Sequence, residues 1–261
     1  MDWHRRYVPA KGYTPVLSPS PDGLKYINFG ILRLQAGESY AADSSETEVG
    51  LIIVAGQCRL TIGKKRFDRV GERANFFDAK ATSVYVPPRT KYIIEANLDI
   101  EVAIGSVPAD SGGEATVVRP DAVASKVVGH GPMRRRVDFL LYDSVPASHI
   151  IIGETFHIFG GWCGFPPHKH DEDNLPTESA NEEVYLIKID PPQGFGLLSV
   201  YDGVSLDEVY KVKNNDLIAI PRGYHPMVAA PGYKFGFIWF MAGAKRQWKP
   251  VTDPDHAWIT K

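Results

Sequence analysis

The chain has 261 residues, 44% hydrophobic and 23% charged, a balance that can fill one large core or two of ordinary size. Its 29 basic and 31 acidic side chains leave a formal charge of −2, so no positive field gathers phosphates or anionic lipid, and nucleic acid is not an expected partner. The opening MDWHRRYVPAKGYTP lacks the apolar run of a secretory signal, no later stretch approaches the ~20 apolar residues of a membrane span, and Cys58 and Cys163 form no CxxC pair, so a cytoplasmic protein without disulfides is expected.

Short runs rich in Val, Ile, Tyr and Phe recur between Gly, Pro, Asn and Asp, and helical periodicity is scarce. In chain order the first runs are EVGLIIVAGQCRLTIG from Glu48, split near Gly56, then TSVYVPP, KYIIEAN and IEVAIGSV. A stretch rich in Gly, Pro and Ala over residues 108 to 130 reads as a connector, and RRVDFLL from Arg135 reads as a strand beyond it. EVYLIKID from Glu183, GLLSVYD, DEVYKVK, DLIAIP and YKFGFIWFMAG complete the series. With 20 prolines and 24 glycines the punctuation suits tight turns, so the predicted fold is mainly β, a barrel or sandwich. The halves also echo each other twice, in order. EVGLIIVAGQCRLTIG resembles EVYLIKIDPPQGFGLLSV, which sets Glu48 against Glu183, and TSVYVPPRTKYIIEA resembles DLIAIPRGYHPMVAA. An internal duplication with a boundary near residue 125 follows, giving units 1–125 and 126–261.

Residues i and i+2 of a strand share a face, so His168 and His170 in PPHKHD can aim both imidazoles at one point. Glu183 opens an apolar strand and could bring a carboxylate to the same interior; His225, in the turn IPRGYHP, could supply a third imidazole. Three nitrogens and a carboxylate suit a divalent transition metal with coordination positions left open. Glu182 and Glu178 are alternatives for the carboxylate, Glu183 being preferred because it directly precedes the strand. Tyr185 shares strand parity with Glu183, as a core residue or a hydroxyl in contact with substrate. His4, His130, His149 and His157 lack a partner at ligand spacing and read as ordinary surface or hydrogen-bonded residues, and Lys169 should face away from its histidine neighbours.

The order HxH, a glutamate at a strand start, then a Pro-x-Gly turn leading to His resembles the two signature motifs of the cupin superfamily, and the repeat then looks like a bicupin. More closely, FPPHKHDEDN, EEVY, DPPQGFG, IPRGYHP, APGY, MAG and DPDHAWI resemble the 5-deoxy-glucuronate isomerase family of myo-inositol catabolism, most strongly over residues 150 to 261. The resemblance implies two tandem double-stranded β-helix (jelly-roll) barrels, a degenerate first one and a metal-binding second one. It implies His168, His170, Glu183 and His225 as metal ligands, with zinc foremost and manganese, iron, nickel or cobalt also compatible. The first half, lacking an HxH and a histidine in PPRTKY, should be metal-free. The implied activity is aldose–ketose isomerisation of 5-deoxy-D-glucuronate, with Glu183 and Tyr185 at the reacting centre and Arg135, Arg136 or Arg222 meeting the sugar-acid carboxylate. A homo-oligomer is compatible with such barrels. The alternatives are a cupin dioxygenase and a non-catalytic sugar-acid-binding protein.

Overall fold

Every apolar run named above forms a strand in the computed structural model, which describes residues 3–21, 23–158 and 160–260. The protein is mainly β, and the helical segments among the described residues are short 3-10 turns. The first half pairs a six-stranded sheet with a four-stranded one; the second pairs a seven-stranded sheet with sheets of four and two. Among the described residues the strand orders are open, so no sheet hydrogen-bonds into a closed cylinder. The 108–130 connector holds two short strands. Thr116–Val118 pairs with Ser83–Val86 of the first half, and Ala124–Val128 pairs with Arg135–Leu141 of the second.

The Thr47–Ala55 strand is apolar on both faces because each face has a partner. Val49, Leu51 and Ile53 fill the core between the first half's own two sheets. Ile52 and Val54 turn the other way, into a larger core shared with Ile150, Ile152, Ile238 and Phe240 of the second half. The two large sheets therefore pack face to face, closely enough that a Cβ on Gly50 would stand 2.3 Å from Ile152 and one on Gly105 would stand 2.2 Å from Phe240. A fully buried charged pair crosses this layer, besides the Lys188–Glu101 pair at its margin. Arg73 donates to both Glu154 oxygens at 2.9 and 2.6 Å, with the two side chains 1% and 0% exposed. Arg73 Nε also donates to the Ile53 and Val54 carbonyls, so the buried guanidinium is hydrogen-bonded on several sides.

Two further carboxylates join the halves reciprocally. Glu48 accepts the backbone N–H groups of Ser148, His149 and Ile150 at 2.8, 2.7 and 2.9 Å. Glu182 accepts those of Lys25, Tyr26 and Ile27 at 2.6, 2.9 and 2.7 Å. Glu48 stands opposite Val107 and Glu182 opposite Ala242, each at the far end of the neighbouring central strand. The internal echo is thus displaced by one residue from its alignment in the sequence: Glu48 matches Glu182, and Val49 takes the place of Glu183. A repeated Glu-Val dipeptide produces the sequence alignment, whereas the contacts are set by which face each carboxylate occupies. The other departure is His4–Arg6, which pairs with Asp216–Ile220 of the second half and so completes the far sheet's edge.

Candidate metal centre

His168 lies in the short strand His168–Lys169, which pairs with Val251–Thr252 from the C-terminal segment. The Asp253 N–H donates to the Pro167 carbonyl at 2.8 Å, and the Asp253 carboxylate receives the Tyr201 hydroxyl at 2.5 Å. The tail DPDHAWI therefore braces the strand that carries His168. His170 follows on the same face. Asn181 secures it twice, donating its N–H to the His170 carbonyl at 2.7 Å and accepting from His170 Nδ1 at 3.0 Å. His225 hangs from the turn after Asp216–Ile220, with its Nδ1 2.8 Å from the Gly223 carbonyl. A carbonyl at Nδ1 fixes that nitrogen as the donor, which turns an Nε2 lone pair inward from both His170 and His225.

The donor atoms of His168, His170 and His225 lie within 4.8 Å of one another. Glu183 Oε2 stands 3.3 Å from His170 Nε2 and 3.4 Å from His225 Nε2. Bonds of about 2.1 Å in a tetrahedral arrangement require edges of about 3.4 Å, so these separations suit a cation in their midst. Glu183 Oε2 and His225 Nε2 are buried and make no hydrogen bond, an expensive state for two polar atoms unless something else sits between them. Burial holds His168 well below the usual imidazole range, with the charges of His225 and His170 acting the same way. Burial likewise lowers His225 against the pull of Glu183, while at His170 burial is outweighed by Glu183 together with backbone hydrogen bonding, and the net shift is upward. The donor set fits a divalent transition metal.

The other carboxylates are engaged elsewhere. Glu182 faces the first half. Glu178 accepts Lys169 Nζ at 2.9 and 3.0 Å and the N–H groups of Asp171 and Glu172 at 2.8 and 3.1 Å. Lys169 does turn away from the imidazoles, to Asp171, Glu172 and Glu178, and its ammonium fills the space among those three carboxylates. The Asp171 carboxylate also accepts the Gly223 N–H at 2.7 Å, tying the acidic run to the turn of His225.

Tyr185 is buried, its ring 4.4 Å from that of Phe237 and 6.2 Å from that of His225. Burial, and then the charge of the Glu183 carboxylate, push the phenol far above its ordinary value, so it keeps its proton. The three arginines separate. The charge of Arg135 is felt by His168, Cys163, Tyr185 and His157, and one of its N–H groups donates to the Met133 carbonyl at 2.9 Å. Arg136 points to the opposite strand face, 4.1 Å over the Phe156 ring and 3.2 Å from Asp138, away from the imidazoles. Arg222 is held by Asp202. Arg136 and Arg222 thus have carboxylate partners of their own, which no local sequence pattern identifies.

Sequence spacing missed His157. It is buried, with Nδ1 donating to the Gly161 carbonyl at 2.9 Å and its ring packed on Phe235. Burial pushes it down to about 4. The register Arg135–His157, Thr155–Phe237 and Tyr185–Trp239 sets Arg135, His157, Tyr185 and Glu183 on one face of the seven-stranded sheet. The Asn181 backbone was also missed, since main-chain groups leave no signature in residue type.

A two-sheet β fold bearing three histidines and a glutamate at one point defines a cupin-like protein with a candidate metal centre. A variant of Bacillus subtilis oxalate decarboxylase has the same fold, with a TM-score of 0.62 at 12% identity over 96% of this chain and 77% of that one. The chain belongs to the KduI/IolB family, whose model matches residues 6–259. The 5-deoxy-glucuronate isomerase of Geobacillus kaustophilus is 38% identical over 245 residues, 93% of this chain and 89% of that protein. The 5-deoxy-glucuronate isomerase of Bacillus subtilis strain 168 is 35% identical over 246 residues, 93% and 91% of the two. An IolB-like protein from Salmonella typhimurium LT2 superposes with a TM-score of 0.95 at 33% identity, covering all of both chains. No helix among the described residues is long and apolar enough to cross a membrane.

Proposed function

We propose that the protein is a metal-dependent aldose–ketose isomerase that converts 5-deoxy-D-glucuronate to 5-dehydro-2-deoxy-D-gluconate in myo-inositol catabolism. The observation that carries this reading is the convergence of His168, His170, His225 and Glu183 in a chain whose relatives bear the isomerase name. On this reading the larger and smaller sheets of each half are the two tandem cupin barrels, divided near residue 125, and only the second holds metal. The Val49 side chain stands where the first half would need its glutamate.

A divalent cation bound by the quartet would supply Lewis acidity at the C1 and C2 oxygens of the sugar. The three imidazoles and Glu183 would hold it. Tyr185, fully protonated and on the same sheet face as Glu183, would orient that carboxylate. We assign Arg135 to the substrate carboxylate because the sheet register sets it on the face of Glu183, while Arg136 and Arg222 have carboxylate partners of their own. In the isomerisation one hydrogen leaves C2 and one arrives at C1, either as a proton exchanged with a base or as a direct hydride shift. Product formed in deuterated water distinguishes the routes, since a hydride shift carries in no solvent deuterium.

The test is an isomerase assay on 5-deoxy-D-glucuronate before and after chelation, with metal content measured in the same preparation. The expected result is turnover that disappears with the metal and returns on its addition. Turnover that survives complete metal removal would end the metal-dependent reading, and substrate binding without turnover in metal-loaded protein would end the isomerase reading.

A further inference from the structure

Asn181, Glu182 and Glu183 are consecutive, and each secures something different. The Asn181 backbone holds His170 through both its N–H and its carbonyl. Glu183 faces His170 and His225. Glu182 points to the opposite side of the strand and takes three N–H groups from residues 25–27 of the first half. Resting on the reading of the quartet as a metal centre, we infer that Glu182 is a positioning residue for that centre. Through it, the Lys25–Ile27 backbone pins the end of the strand on which Glu183 stands and sets the carboxylate's place among the imidazoles.

The physical case is that Glu182 and Glu183 are the first two residues of the Glu182–Asp190 strand, and strand ends fray unless tied. A ligand must be held to within about 0.5 Å to bind its metal well. The Glu182 carboxylate is nearly inaccessible, and its three N–H bonds are charge-assisted in a low-dielectric setting, so the tie is stiff. Its loss would free the residue next to one ligand and release, through Asn181, the backbone that steadies another. The first half then contributes to the metal site without lending it a side chain.

The fold carries its own control. Glu48 makes the matching clamp with residues 148–150, is likewise buried, also accepts the Tyr85 hydroxyl at 3.0 Å, and is followed by Val49 instead of a ligand. Replacing either carboxylate by an amide turns an N–H donor toward at least one backbone N–H, so Glu48→Gln and Glu182→Gln should lower the thermal midpoint by similar amounts. They should differ in metal binding. Cobalt(II) titrated into metal-free protein is expected to bind the parent chain at one ion per chain. Binding should weaken about tenfold or more in Glu182→Gln, the range typical of groups that orient ligands, and stay within about twofold of the parent in Glu48→Gln. Should Glu182→Gln fail to fold, Glu182→Asp, which keeps the charge but shortens the reach, is expected to shift affinity in the same direction by less. Parent-like cobalt affinity in the Glu182 variants, or an equal loss in Glu48→Gln, would overturn the inference and leave both clamps purely structural. Absence of cobalt binding by the parent chain would instead overturn the metal-centre reading beneath it.

Discussion

Replacing Arg73 by methionine removes the guanidinium that donates to both Glu154 oxygens in the layer between the halves. Burial pushes the Glu154 carboxyl upward and Arg73 opposes that push, so the variant's carboxyl should rise much further. An isolated buried carboxylate would be very costly, but the group can take up a proton instead. That escape caps the electrostatic loss at pH 7 at about 1.36 × (7 − 4.3), or about 3.7 kcal/mol. The lost bonds to the Ile53 and Val54 carbonyls bring the total to about 4–6 kcal/mol. For a protein of this size the thermal midpoint then falls by roughly 10 °C or more. Glu154 is already raised in the parent and rises further in the variant, so the variant's stability declines as pH rises by up to about 1.4 kcal/mol per unit more than the parent's, once pH exceeds the parent's folded value. Denaturant unfolding of Arg73→Met and the parent chain at pH 5, 6 and 7 measures this, the difference cancelling every group common to both. A gap that stays flat over that interval, or stays below about 1 kcal/mol, would refute the reasoning.

Three further outcomes are expected. His168→Ala and His225→Ala should each lose both bound metal and isomerase turnover while keeping a parent-like β circular dichroism spectrum; retention of metal and turnover would disqualify the quartet. Tyr185→Phe, which deletes the hydroxyl beside Glu183, should lower metal affinity about tenfold by titration and stability by about 1 kcal/mol by denaturation. His157 is held at about 4 when folded against ~6.5 when unfolded, so the unfolded chain binds more protons between those values. Its contribution is therefore complete above pH 6.5 and lost toward pH 4, by up to about 3.4 kcal/mol in metal-free protein, with His168 and His225 acting in the same direction. His157→Gln should flatten that acid slope, and an unchanged slope would count against burial as its cause.

The strands and the quartet were legible because both depend on local pattern. Alternation and Gly/Pro punctuation marked the strands from Thr47 to Ala242, and an HxH, a strand-opening Glu and a turn His are recognisable wherever they fall. What escaped depends on contacts distant in sequence. No spacing rule links Glu182 to Lys25, or Arg73 to Glu154, and a match of letters set Glu48 one residue out of its structural register. Arg135 and Arg136 are indistinguishable as types, and only the strand's parity sends one toward the imidazoles and the other onto Phe156. His157 carried no partner in sequence because its hydrogen bond goes to a backbone carbonyl.

The pairing of His4–Arg6 with Asp216–Ile220 bears on how the protein is made. His4 and Asp216, which share a 2.7 Å contact, are 212 positions apart. At about 5–20 residues per second, a ribosome needs roughly 10–40 s between emitting the one and emitting the other. Throughout that interval the early segment has no strand to lie against, and the second half's sheet receives its border strand only after the turn bearing His225 is about to leave the exit tunnel. The edge of the second half's sheet is therefore completed by a segment synthesised long before the strands it joins.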